Sequence, residues 1–144
     1  MVLFSTSKKM SIDELIHVYL VVIVGHSHCG GASASLKAAI APDFAPVDPI
    51  ITLKNEPADS PLNQWLKPLT LMAYTLNLPD SSEASIETVV IENVKAQVKT
   101  LANTETILKA WSQGTPKKQK VLIHGWVYDL ATGLLKDLGI TRGP

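Results

Sequence analysis

Val21-Val22-Ile23-Val24-Gly25-His26-Ser27-His28-Cys29-Gly30-Gly31-Ala32 is the stretch on which the fold turns. It opens on β-branched residues. An unbroken apolar run of that kind suits a strand buried on both faces, as in a parallel sheet. Gly25 closes the run, and His26 to Gly31 reads as a tight loop in which Gly30 and Gly31 give the backbone its freedom to turn. Ala32 to Ile40 follows as a helix. Upstream, Ser11 precedes Glu14 at capping-box spacing, and Ile12, Leu15, Ile16 and Tyr19 recur at helical intervals. Helix, strand, glycine-rich loop and helix predict an α/β fold, a mainly parallel sheet flanked by helices.

Downstream, Pro42, Pro46, Pro49, Pro57 and Pro61 exclude a regular element and predict a surface excursion. Pro61 opens a helical stretch with an apolar stripe of Leu62, Trp65, Leu66, Leu69, Met72, Ala73 and Leu76, which Pro68 should kink or restart. Ser81 or Ser82 begins a long helix whose core face carries Ile86, Val89, Val90, Val94, Val98 and Leu101. Asn103-Thr104-Glu105 begins another, with Ile107, Leu108 and Trp111, ended by Gly114 and Pro116. Lys117 to Lys120 reads as a solvated turn. Val121 to Tyr128 is a second strand. Asp129 to Gly133 turns the chain, with a positive φ at Gly133, and Leu134 to Leu138 returns as a C-terminal antiparallel hairpin.

The 144 residues read as a single domain able to bury a core, with residues 1–10 an aperiodic lead-in. Thirteen basic residues balance thirteen acidic ones, which argues against nucleic acid or an anionic membrane as partner. No apolar run approaches the roughly 20 residues that span a bilayer. The single cysteine excludes an intrachain disulfide and fits a reducing compartment. The expectation is therefore a cytoplasmic protein. Lys8 and Lys9 near the start leave a mitochondrial one as the alternative.

Only one place gathers reactive side chains: His26, His28 and Cys29, just beyond a buried strand, where α/β folds bind ligands. The following helix points its first amides back at the loop, which favours an anionic sulfur on Cys29. A thiolate and an imidazole three residues apart can close on one zinc ion. Other readings compete. A lone buried cysteine is commonly a small apolar residue, and a Cys–His nucleophile pair is a further alternative. Gly25-x4-Gly30 has the frame of a phosphate loop, but Gly31 and Ala32 stand where Lys and Ser or Thr are needed. His17 on an amphipathic helix and His124 on a strand read as structural.

Val22 to Ala32 resembles the zinc-site motif of the β-class carbonic anhydrases, His-x-x-Cys-Gly-Gly after a strand. Pro61-Leu62-Asn63-Gln64-Trp65-Leu66 resembles that family's middle helix. Ile91-Glu92-Asn93-Val94-Lys95-x-Gln97-Val98 resembles the next helix, and the stretch from His124 through Leu135 resembles its C-terminal strand and turn. These blocks come in family order over about residues 11–139. The resemblance implies a dimer or larger oligomer, zinc as cofactor, and reversible hydration of carbon dioxide to bicarbonate. It makes His26 and Cys29 two of three protein zinc ligands. In the family the other cysteine lies upstream in a Cys-x-Asp-x-Arg motif, whose aspartate and arginine gate the metal. Here Cys29 is the only cysteine, and no Asp-x-Arg precedes it. The expectation is an N-terminally truncated relative without the family's first strands. It should bind zinc weakly or not at all and expose Val21 to Val24 as an edge that favours self-association. His28 is the alternative third ligand, at a variable position of the motif. The alternative function is a catalytically inactive relative serving as a structural or dimerisation partner, or a fragment.

Overall fold

Along residues 20–113 and 121–144, which the computed structural model describes, the chain forms β1 (Leu20–His26), α1 (Gly30–Ala39), α2 (Pro61–Thr75), α3 (Glu83–Ala102), α4 (Glu105–Gln113), β2 (Leu122–Tyr128) and β3 (Leu135–Arg142). The expected lead-in, the capping-box helix with His17, the stop at Gly114 and Pro116 and the lysine turn lie outside these residues. The elements divide into two compact units, one made of residues up to His26 with Val94–Pro144, the other of Ser27–Asn93.

The first unit is built on a sheet of order β1-β2-β3. β1 lies parallel to β2, from Leu20 opposite Leu122 to His26 opposite Tyr128. β3 is antiparallel to β2. The sheet is thus mixed, and β1 stands at its edge among the described strands. The central strand alternates as a half-covered strand should: Ile123, Gly125 and Val127 are buried, while Leu122, His124 and Trp126 are half-buried. Its buried face meets the C-terminal half of α3. A Cβ on Gly125 would stand 3.0 Å from Val94 Cγ1 and 3.3 Å from Val98 Cγ2, so glycine sets the approach of helix to sheet.

Thr104 caps α4, its Oγ1 accepting from the Ile107 amide at 3.5 Å. Ile107 and Ala110 are buried, and Trp111 Nε1 donates to the Val121 carbonyl at 2.9 Å. Leu108, the apolar residue that follows Ile107, is exposed. One residue along a helix turns the side chain by about 100°, which carries it off the face that Ile107 occupies.

The predicted hairpin is present. The Asp129 amide donates to the Leu134 carbonyl and the Gly133 amide to the Asp129 carbonyl, each at 2.8 Å. Gly133 has φ +72°, and the Asp129 carboxylate accepts from Ala131 N and Thr132 Oγ1. β3 runs on to Arg142, beyond the expected Leu138. It does so across a bulge: Gly125 pairs with Ile140 while Trp126 pairs with Asp137. Gly139, at φ +67°, absorbs the irregularity and donates its amide to Asp137 Oδ1 at 2.8 Å.

In the second unit α1 packs on α2. Ala32, Ser35, Leu36 and Ala39 are buried on α1, and Asn63, Leu66, Thr70 and Ala73 on α2. The buried face of α2 thus advances by three, four and three residues, a helical stripe, and two of its four members are polar. Leu62 and Trp65, expected on that stripe, are exposed. Pro68 does not restart the helix: one helix runs from Pro61 to Thr75. Pro68 is itself exposed and denies the helix one amide bond, while the opposite face is fixed by packing. Ser60 caps α2, its Oγ accepting from the Asn63 amide at 3.2 Å, with Pro61 at the first helical position.

The proline-rich excursion is irregular as predicted, but it is tethered. Asn63 is fully buried. Its Oδ1 accepts from Thr52 N at 3.0 Å and Leu53 N at 2.9 Å, and its Nδ2 donates to the carbonyls of Leu53 at 3.2 Å and Pro57 at 2.9 Å. Thr52 and Thr70 share a hydroxyl hydrogen bond of 2.6 Å, and Ile50 is buried. The chain returns from this unit to the first one within α3.

Candidate metal centre

The loop starts where β1 ends. His26 is the last residue of β1 and belongs to the first unit, while Ser27 onward belongs to the second. Three residues of chain keep the Cα atoms of His26 and Cys29 within about 10 Å of each other, whatever the conformation between them. Cys29 is the N-cap of α1, with φ −70° and ψ 114°, and its carbonyl accepts from the Ser33 amide at 2.9 Å. Its side chain makes no capping hydrogen bond, and the residue is a buried, free cysteine.

The wall beside that sulfur comes from α2. A Cβ on Gly31 would meet Leu66 Cδ2 at 3.4 Å, Trp65 Cζ3 at 3.8 Å and Cys29 Sγ at 3.9 Å. The space next to the Gly31 Cα is thus bordered by the thiol and by two large apolar side chains. Neither Gly30 nor Gly31 takes a left-handed conformation, contrary to the expectation that they make the turn. His28 makes it instead, at φ +53°. Its Nδ1 lies 3.0 Å from Glu83 Oε1, in the first turn of α3. Sequence reasoning missed Glu83, because nothing local links it to the loop.

His124 lies on β2, with Nδ1 3.0 Å from Thr141 Oγ1 on β3. Among the described residues, no group of three or more His, Cys, Asp or Glu side chains could hold a metal ion. The donor types at His26 and Cys29 suit zinc, which favours imidazole nitrogen and thiolate sulfur. Their number is one short of the three protein ligands usual at a catalytic zinc. No helix of the described residues is long and apolar enough to cross a membrane.

A family model described as carbonic anhydrase matches residues 9–135. A carbonic anhydrase of Emericella nidulans is 28% identical over 125 residues, 83% of this chain and 45% of that protein. Among solved structures, a tetrameric β-carbonic anhydrase of Sordaria macrospora aligns with TM-score 0.62 at 25% identity. That alignment covers 89% of this chain and 57% of the other. A Coccomyxa β-carbonic anhydrase in complex with acetazolamide shares the fold, with TM-score 0.65 at 22% identity over 91% of this chain and 53% of that one. The 144 residues thus span about half the length of these relatives. With the family match running through both units and the strand, loop and hairpin in the expected order, the chain belongs to the carbonic anhydrase family and carries the β-class fold.

Proposed function

We propose that His26 and Cys29 are protein ligands of a zinc ion, and that the site they serve catalyses the reversible hydration of carbon dioxide to bicarbonate. The observation that carries this reading is the placement of Cys29. A free, buried thiol stands at the head of α1, without a capping bond to satisfy it, three residues beyond the end of a parallel strand. Zinc, when bound, supplies a Lewis acid that lowers the pKa of water to about 7. The chain's own residues contribute the rest. Cys29 would supply a sulfur ligand and His26 an imidazole nitrogen, the donor types zinc takes, and Leu66 and Trp65 supply apolar surface at Gly31. Two donors leave the cage incomplete within these residues, so the 144-residue chain should hold zinc weakly.

That same count favours a second reading, in which the chain is a catalytically inactive relative that serves as a structural or dimerisation partner. Under either reading the chain is one domain of the family, since the family match crosses the boundary between the units. It assembles as a homodimer or larger, as the tetrameric Sordaria relative does, with β1 offering an edge for pairing. A cytoplasmic location belongs to the same proposal and rests on the single unpaired cysteine. Zinc content and carbon dioxide hydration, measured together, separate the two functional readings. The discriminating sample is the chain joined to a family segment that carries the Cys-x-Asp-x-Arg motif: zinc and turnover that are lost in Cys29→Ser support the enzyme, and neither supports the inactive partner.

A further inference from the structure

We propose that His28 is the positioning residue of the metal loop. Tied to Glu83, it holds the left-handed turn that sets Cys29 at the head of α1. The importance of that placement rests on the reading of Cys29 as a ligand; the clasp itself and its test do not.

The turn needs one residue with positive φ, and the sequence spends a histidine there. A Cβ disfavours that conformation, so glycine or asparagine is the residue expected. Two glycines stand next door, at positions 30 and 31, in ordinary helical backbone. Around a Cβ on Gly30 there is open space within 4 Å, and around one on Gly31 there is only ordinary contact. The imidazole is therefore kept at the strained position while glycines occupy unstrained ones, which points to use of the side chain. The structure shows the use: Nδ1 to Glu83 Oε1, 3.0 Å. Glu83 is itself anchored, because it lies in the first turn of α3, in which Ser85 and Ile86 are buried. The pair ties the loop to the start of α3, the longest helix among the described residues. Both side chains are more than half exposed, 57% and 56%, so the clasp is a weak one that biases the loop without locking it.

Cys29 is the only thiol in the 144 residues, so its reaction with a coloured aromatic disulfide under native conditions reads the loop alone. Cys29 is buried, so the reagent reaches it through local opening, and the rate follows the opening equilibrium. Glu83→Gln and His28→Ala should each raise the rate about two- to five-fold, the range of an exposed pair. The double variant should react no faster than the faster single. His28→Asn should restore nearly the native rate, since asparagine tolerates left-handed backbone and keeps a donor for Glu83. Glu105→Gln, which removes a different surface pair with Lys109, should leave the rate unchanged. Unchanged rates in both singles, a double variant equal to the product of the singles, or an asparagine variant as fast as alanine would overturn the proposal. A cobalt titration closes the remaining route. If His28→Asn abolishes metal binding while the thiol rate stays native, His28 is a ligand and not a clasp. If no variant binds cobalt but the thiol rates behave as expected, the clasp stands independently of the zinc reading.

Discussion

Replacing Asn63 with alanine should be among the most damaging single changes in the second unit. Its amide is fully buried and closes four good hydrogen bonds to the excursion, two accepted and two donated, with a longer contact of 3.4 Å to the Glu56 carbonyl. Alanine leaves the Thr52 amide, on a buried residue, without a partner. An unmet buried group costs about 1–3 kcal/mol. Leu53 is half-buried and Pro57 exposed, so water can reach their groups and soften the loss. The sum is then about 2–4 kcal/mol, against a total stability of about 5–15 kcal/mol for a typical domain. For a chain of this length that lowers the melting temperature by roughly 6–12 °C. Urea unfolding followed by circular dichroism should show a lower midpoint at unchanged slope. Ser60→Ala is the calibration. It removes only the cap bond to the Asn63 amide and should cost about 1 kcal/mol. If Asn63→Ala costs no more than Ser60→Ala, the excursion is not held by this amide and the reasoning fails. Loss of Asn63 should also loosen the start of α2, which carries Trp65 and Leu66 to Gly31, and so quicken the reaction of Cys29 with thiol reagents.

Other expectations follow from local geometry. Gly125→Ala should cost about 1–3 kcal/mol in unfolding free energy, because the new methyl meets Val94 and Val98 at 3.0 and 3.3 Å; a loss below about 0.3 kcal/mol would show that α3 gives way freely. The Asp80 carboxyl is held below its ordinary value by hydrogen bonds from Ser82, and then Ser85, at the start of α3. Its contribution to stability is therefore present above the unfolded value of about 3.9 and disappears as pH falls through the lower folded value. A carboxyl NMR titration should place Asp80 below about 3.9, and Asp80→Asn should flatten that part of the acid limb; a midpoint at or above the ordinary value would contradict the assignment.

Much of this was legible in the chain itself, and the exceptions share a cause. The apolar positions of α3, from Ile86 to Val98, fell where period and side-chain type predict. The β-branched run before His26 forms the expected parallel strand, but Val21 to Val24 are half-buried and not covered on both faces as expected, because β1 stands at the edge of the described sheet. The hairpin was readable because Gly133 takes the left-handed conformation that its turn requires. What escaped was long-range pairing. Asn63 and Thr70 look like solvent-facing polar residues until the excursion folds back to use them. Leu62, Trp65 and Leu108 are apolar yet exposed, because composition says which residues can be buried and not which neighbours arrive to bury them. In the loop Gly30 and Gly31 are the residue types that predict a turn, while the strained residue is His28, held by a glutamate from another element. The bulge at Gly139 lengthened β3 by breaking the alternation on which its boundary was read.

Zinc per chain after dialysis, measured beside carbon dioxide hydration by stopped flow, tests the assignment of His26 and Cys29 most directly. The 144-residue chain should hold clearly less than one zinc and hydrate carbon dioxide near the uncatalysed rate, because two donors cannot complete the cage. Cys29→Ser and His26→Ala should each remove the zinc that remains, whereas His28→Asn should not. One tightly held zinc per chain, with rapid hydration that survives Cys29→Ser, would contradict the account and place the metal elsewhere.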